Sequence, residues 1–64
     1  MSMTRHSLTG RAYKHEENQN DYLLFDERNI FQTVTTSPVI AIHYITGVID
    51  FNPDTDSFSE PKRV

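Results

Sequence analysis

Three histidines, nine carboxylates and five serines are the residues of this 64-residue chain with the means to do chemistry, and their spacing decides against most of it. His6, His15 and His43 are too dispersed to form a ligand pair. His15-Glu16-Glu17 lacks the second histidine that a helical zinc motif needs four residues on. His43 stands among aliphatics beside Tyr44, which suits a half-buried structural histidine better than a catalytic or pH-sensing one. Asp50, Asn52, Asp54 and Asp56 imitate the first half of a calcium-binding loop, whose odd positions supply oxygen ligands. The imitation then fails. Thr55 occupies the position that requires glycine, Pro53 stiffens the loop, and Pro61 replaces the bidentate glutamate while Glu60 falls one position short.

The serines have no glycine context of the kind that exposes a nucleophile on a sharp turn. Asp26 and Glu27 are adjacent, so their carboxylates diverge instead of sharing a substrate. Gly10 and Gly47 are the only glycines, which leaves no phosphate-cradling loop. A chain this short also lacks the scaffold for an enclosed pocket of about 300–1,000 Å³. The expectation is a protein with no enzymatic activity, no cofactor and no metal.

Charge suggests a second kind of chemistry. Residues 1–15 carry Arg5, Arg11 and Lys14 without an acid, a charge of +3, whereas residues 16–64 carry −6, for a total of −3. A whole-surface nucleic-acid binder needs a wider basic footprint than this. Arg5, Arg11, Tyr13 and Lys14 still combine backbone-seeking charge with one aromatic, which is how single strands are held. They are the candidate residues if the chain is a small nucleic-acid-binding β-barrel. The competing reading is a basic, solvated N-terminal segment.

The elements that must position these residues belong to one domain. The expected bounds are residues 1–60, with residues 61–64 as a flexible tail. So small a chain buries only about 60% of its unfolded surface and usually needs a staple or a partner. With no cysteine, disulfides and thiolate zinc sites are excluded, and a partner gains weight. Residues 1–21 lack the apolar stretch of an export signal, and the apolar-rich run 39–49 is too short to cross a bilayer, so the expected location is the cytoplasm.

Residues 4–9 suit an edge strand with Gly10 as its turn. Residues 15–21 suit a turn or short helix. Residues 22–25 and 30–35 read as a hairpin around the Asp26-Glu27-Arg28-Asn29 reversal, with Phe31, Thr33 and Thr35 on one face and Ile30, Gln32 and Val34 on the other. Asn52-Pro53-Asp54-Thr55 reads as a turn, with Phe58 returning as a short strand. Seven of the eleven residues at 39–49 are β-branched and apolar residues fall on both parities, which predicts a strand there.

The expected fold is therefore mainly β: a small antiparallel meander, or a partly closed SH3-like or Sm-like barrel in which a bent strand serves both faces. A two-sided strand in so small a chain needs cover, because burying one Ile or Val contributes about 1.5–3 kcal/mol. Without a barrel, that cover is another protein or a second copy of this chain. The expected function is that of a non-catalytic protein-binding module, such as a small inhibitor, adaptor or regulatory protein, acting through an apolar β surface. Ile40, Ile42, Tyr44 and Val48 are its expected partner-binding residues, with Tyr44 as the anchor.

Overall fold

The computed structural model describes residues 3–61. Four strands, β1 (Met3–Arg5), β2 (Ala12–Glu16), β3 (Asp21–Phe25) and β4 (Phe31–Thr35), form an antiparallel meander in chain order. Helix α1 (Pro38–Thr46) follows, then a small hairpin of β5 (Phe51–Asn52) and β6 (Ser57–Phe58). The meander is the expected architecture, and its sheet stays open instead of closing into a barrel.

Local chemistry sets each reversal. Gly10 has φ 76° in the β1–β2 connection, and its amide bonds to His6 O at 2.8 Å. Residues 17–20 turn between β2 and β3 with Asn20 left-handed at φ 56°, so of the segment 15–21 expected as a helix or turn, the middle is a turn while His15 and Glu16 belong to β2 and Asp21 to β3. Between β3 and β4, Asp26 Oδ1 accepts from the amides of Arg28 and Ile30, both at 2.9 Å, while Asn29 takes φ 66°. This is the reversal predicted for Asp26 and Asn29, residues that tolerate such turns. Asn52 opens the β5–β6 turn by accepting from the Asp54 amide at 2.9 Å, and Phe58 returns as the expected short strand. Lys62, Arg63 and Val64, in the expected tail, lie outside the described residues.

The strand expected at 39–49 is instead helix α1 and its C-terminal exit. Ser37 caps it, with extended backbone and Oγ accepting from the Ile40 amide, and Pro38 takes the first turn, where no N–H is needed. Gly47 ends it at φ 86°. Its amide bonds Tyr44 O at 3.2 Å and the Val48 amide bonds His43 O at 3.0 Å, the paired closure typical of a left-handed C-terminus. β-Branched residues cost only a few tenths of a kcal/mol each in a helix. Burial of Ala41, Tyr44 and Ile45 against the sheet is worth more, and these positions are helically spaced.

The core lies between α1 and one face of the sheet. Leu24, Ala41, Tyr44, Ile45 and Ile49 form its buried centre, and Tyr13, Tyr22, Ile40, Val48, Phe51 and Phe58 pack around it. Arg11 ties the helix exit to the sheet. Its Nη1 donates to Tyr44 O at 3.0 Å and Ile49 O at 3.1 Å, its Nη2 pairs with Asp50 Oδ1 at 2.6 Å, and its guanidinium lies 4.7 Å from the Tyr44 ring centre. A cation at the carbonyl end of a helix is electrostatically favoured. Thr9 Oγ1 donates to Ile45 O beside it.

Candidate protein-interaction surface

Strand register sorts side chains onto two faces, because directly paired residues point the same way. On the helix side, one row runs Thr4–Tyr13–Leu24–Thr33 and a second runs His15–Tyr22–Thr35. On the opposite side, the rows are Met3–Lys14–Leu23–Val34 and Arg5–Ala12–Phe25–Phe31, with Glu16 and Asp21 paired beyond them. Among the described residues the core cluster with α1 lies on the other side, while on this second side Ala12 is fully buried, Leu23 and Phe25 are partly buried, and Phe31 and Val34 are exposed.

A bulge decides the composition of that open face. Leu24 pairs with Thr33 but Phe25 pairs with Phe31, so Gln32 is the extra residue. The alternation expected from sequence put Phe31 opposite Val34; the bulge brings both to the open face, an effect that one extra residue always has on parity. Phe25 and Phe31 then meet edge to face with ring centres 5.9 Å apart. Asp26 helps hold the bulged residue, since Gln32 Nε2 donates to Asp26 Oδ2 at 3.3 Å and Ile30 O at 3.2 Å. In β4 and just before it, Ile30, Phe31 and Val34 are 53%, 52% and 47% exposed; Leu8 in the β1–β2 connection and Val39 and Ile42 on α1 are exposed as well.

Polar groups frame the apolar area with both signs. Lys14 Nζ lies 3.4 Å from Glu16 Oε1. Arg5 donates to Gly10 O at 2.6 Å and to Asn29 Oδ1 at 2.8 Å, which draws its side chain from β1 across to the β3–β4 reversal; Ala12, its cross-strand partner, is fully buried. This face can bury apolar side chains of another molecule and orient it through a polar rim, the usual anatomy of a recognition surface.

The residues expected to bind a partner are separated by the helix. Tyr44, 3% exposed, is part of the core, where burial raises its phenol pKa above the ordinary value of 10.0 and nearby Arg11 opposes the shift. Ile40 and Val48 pack partly buried against the same core, and only Ile42 is substantially exposed. The four basic-segment residues are likewise spread over different surroundings. Arg5 and Lys14 lie on the open face, Tyr13 on the helix side in edge contact with Tyr22, and Arg11 in the helix clamp. His15 stacks on Tyr22 at 4.4 Å and 5°, with its Nε2 buried and unpartnered. His43 lies on the helix, partly buried. Among the described residues no three histidine or acidic side chains are placed to hold a metal, and no helix is long and apolar enough to cross a membrane.

Sequence reasoning missed Leu23, Phe25 and Phe31 as surface residues, because parity alone does not say which face the helix covers. The signal present was the Ser37-Pro38 to Gly47 bracket, which marks a helix able to cover only one side of the hairpin. Comparison with family models, curated proteins and solved structures found no match to this chain.

Proposed function

We propose that this chain is a non-catalytic protein-binding module that works through the open face of its β-sheet. The observation that carries the reading is the apolar set Leu23, Phe25, Phe31 and Val34 on the face turned away from the helix, continued by exposed Ile30. Half-exposed large side chains at the edge of a small sheet forfeit roughly half of the 1.5–3 kcal/mol that full burial of each contributes. A partner restores that loss. Aromatic side chains are the usual anchors of such contacts, and here Phe25 and Phe31 hold each other in place before a partner arrives. Arg11, Asp26 and His15 are engaged in the helix clamp, the β3–β4 turn and the aromatic stack respectively.

The test is affinity capture with the purified chain and two variants of verified fold. Phe31→Lys disrupts the open face, and Ile42→Lys alters the exposed side of the helix. A protein retained by the original chain and by Ile42→Lys, but lost with Phe31→Lys, is the expected result. Binding that survives Phe31→Lys and fails with Ile42→Lys would move the interface to the helix and overturn the proposal.

A further inference from the structure

We infer that the protein partner of the open face presents a carboxylate, and that Arg5 is the residue that takes it. The inference rests on the protein-binding reading and states the chemistry of the partner. The cations of the chain are neutralised unevenly. Arg11 pairs with Asp50 at 2.6 Å, Lys14 with Glu16 at 3.4 Å and Arg28 with Asp26 at 3.8 Å. Arg5 is the remaining lysine or arginine among the described residues, and no acid there pairs with it. Glu27 shares its corner by backing onto Gly10, yet forms no ion pair with it.

Neutral acceptors fix the Arg5 guanidinium in place without cancelling its charge. Nη1 donates to Gly10 O at 2.6 Å, while Nη2 donates to Asn29 Oδ1 at 2.8 Å and contacts Met3 Sδ at 3.6 Å. A guanidinium has five N–H donors, so these contacts leave two for an outside acceptor. Arg5 is exposed, and it shares the row Arg5–Ala12–Phe25–Phe31 with two aromatic rings of the open face. Asn29 holds the charge at the reversal, two residues before Phe31. A guanidinium ordered before binding loses less freedom on taking a carboxylate than a swinging lysine does.

The surroundings decide which anion fits. Glu16 and Asp21 lie on the same face, Glu27 lies on the neighbouring reversal, and the chain carries a net charge of −3. A nucleic-acid strand would run its phosphates past these acids, and repulsion would oppose it. A single carboxylate on a protein segment meets Arg5, while apolar side chains of that segment reach Phe25 and Phe31 beside it. Charge pairs at the margin of an apolar contact set orientation and exclude wrong partners.

A random peptide-display selection on the intact chain, repeated on Arg5→Gln and Phe31→Lys variants of verified fold, tests the inference. The selected peptides are expected to share an Asp or Glu close to an aromatic or aliphatic residue. Replacing that acid by its amide should weaken binding to the unmodified chain about tenfold, and binding to Arg5→Gln less than about twofold. The amide swap leaves the protein untouched, so its result holds even if Arg5→Gln loosens β1. Peptides with no shared acid, or an amide effect equally large on Arg5→Gln, overturn the inference. If those peptides are still lost with Phe31→Lys, the protein-binding reading stands without it. A selection that yields no binder on the intact chain, or acid-dependent peptides that survive Phe31→Lys, overturn both. Titration with a labelled oligothymidine at low salt should be flat; Arg5-dependent binding of that strand would put phosphate in place of the carboxylate and overturn the inference.

Discussion

The two faces of one four-stranded sheet have met different fates. The helix side carries Leu24 at no exposure, with Tyr13 and Tyr22 packed around it beneath Ala41, Tyr44 and Ile45. The open side carries Leu23 and Phe25, partly buried, and Phe31 and Val34, about half exposed, outside the core that the helix closes. Apolar residues occur on both faces, although the charged side chains of Arg5, Lys14, Glu16 and Asp21 all lie on the open one. What separates them is helix α1, which packs on one face, and the bulge that adds Phe31 to the other.

If the helix side is the core, substitutions there should be the most damaging. Leu24→Ala is expected to cost about 2–5 kcal/mol in urea unfolding, because it opens a cavity at the centre of a small core. Next comes Arg11→Ala, at about 2–3 kcal/mol, since it removes charge-assisted bonds to Tyr44 O and Ile49 O and leaves those carbonyls to find other donors. Gly47→Ala should cost about 1–2 kcal/mol through its left-handed backbone, while the space around its Cβ is adequate, with Thr9 Cγ2 at 3.5 Å. His15→Phe is expected to be neutral or slightly stabilising, because it keeps the stack on Tyr22 and deletes an unpartnered buried nitrogen. The pH profile adds a direction. The raised Tyr44 pKa favours the neutral phenol in the folded chain, so its contribution is complete below the unfolded value near 10 and declines as pH rises from there through the folded value. A melting-temperature series across alkaline pH checks it, and Tyr44→Phe should flatten that decline.

Much of this comparison was legible in the sequence, but unevenly. The β3–β4 hairpin was readable because Asp26 and Asn29 specify their own reversal through side-chain and left-handed geometry. Asn52-Pro53 and Phe58 marked the terminal hairpin for the same local reason. Residues 39–46 were misread because β-branching was weighed above the Ser37, Pro38 and Gly47 boundaries, and because Ala41, Tyr44 and Ile45 have helical spacing that alternation obscures. In a small domain, the burial gained by a covering helix outweighs intrinsic strand preference. Phe31 was unreadable in a stricter sense. Its face depends on a bulge held by Asp26, Gln32 and the β3 register, and such long-range pairing leaves no mark in alternation. The expected two-sided strand at residues 39–49, and the binding surface built on it, are overturned by helix α1; the apolar residues on the outer side of β3 and β4 are a separate observation.

The most direct measurement is the unfolding free energy of a Phe31→Lys, Val34→Lys double variant at sub-micromolar concentration. Phe31 and Val34 are only half buried and lysine stems keep part of their contact, so stability should fall by no more than about 2 kcal/mol. A loss of about 3 kcal/mol or more, comparable with Leu24→Ala, would mean that this side of the sheet belongs to the core and has no surface to offer a partner.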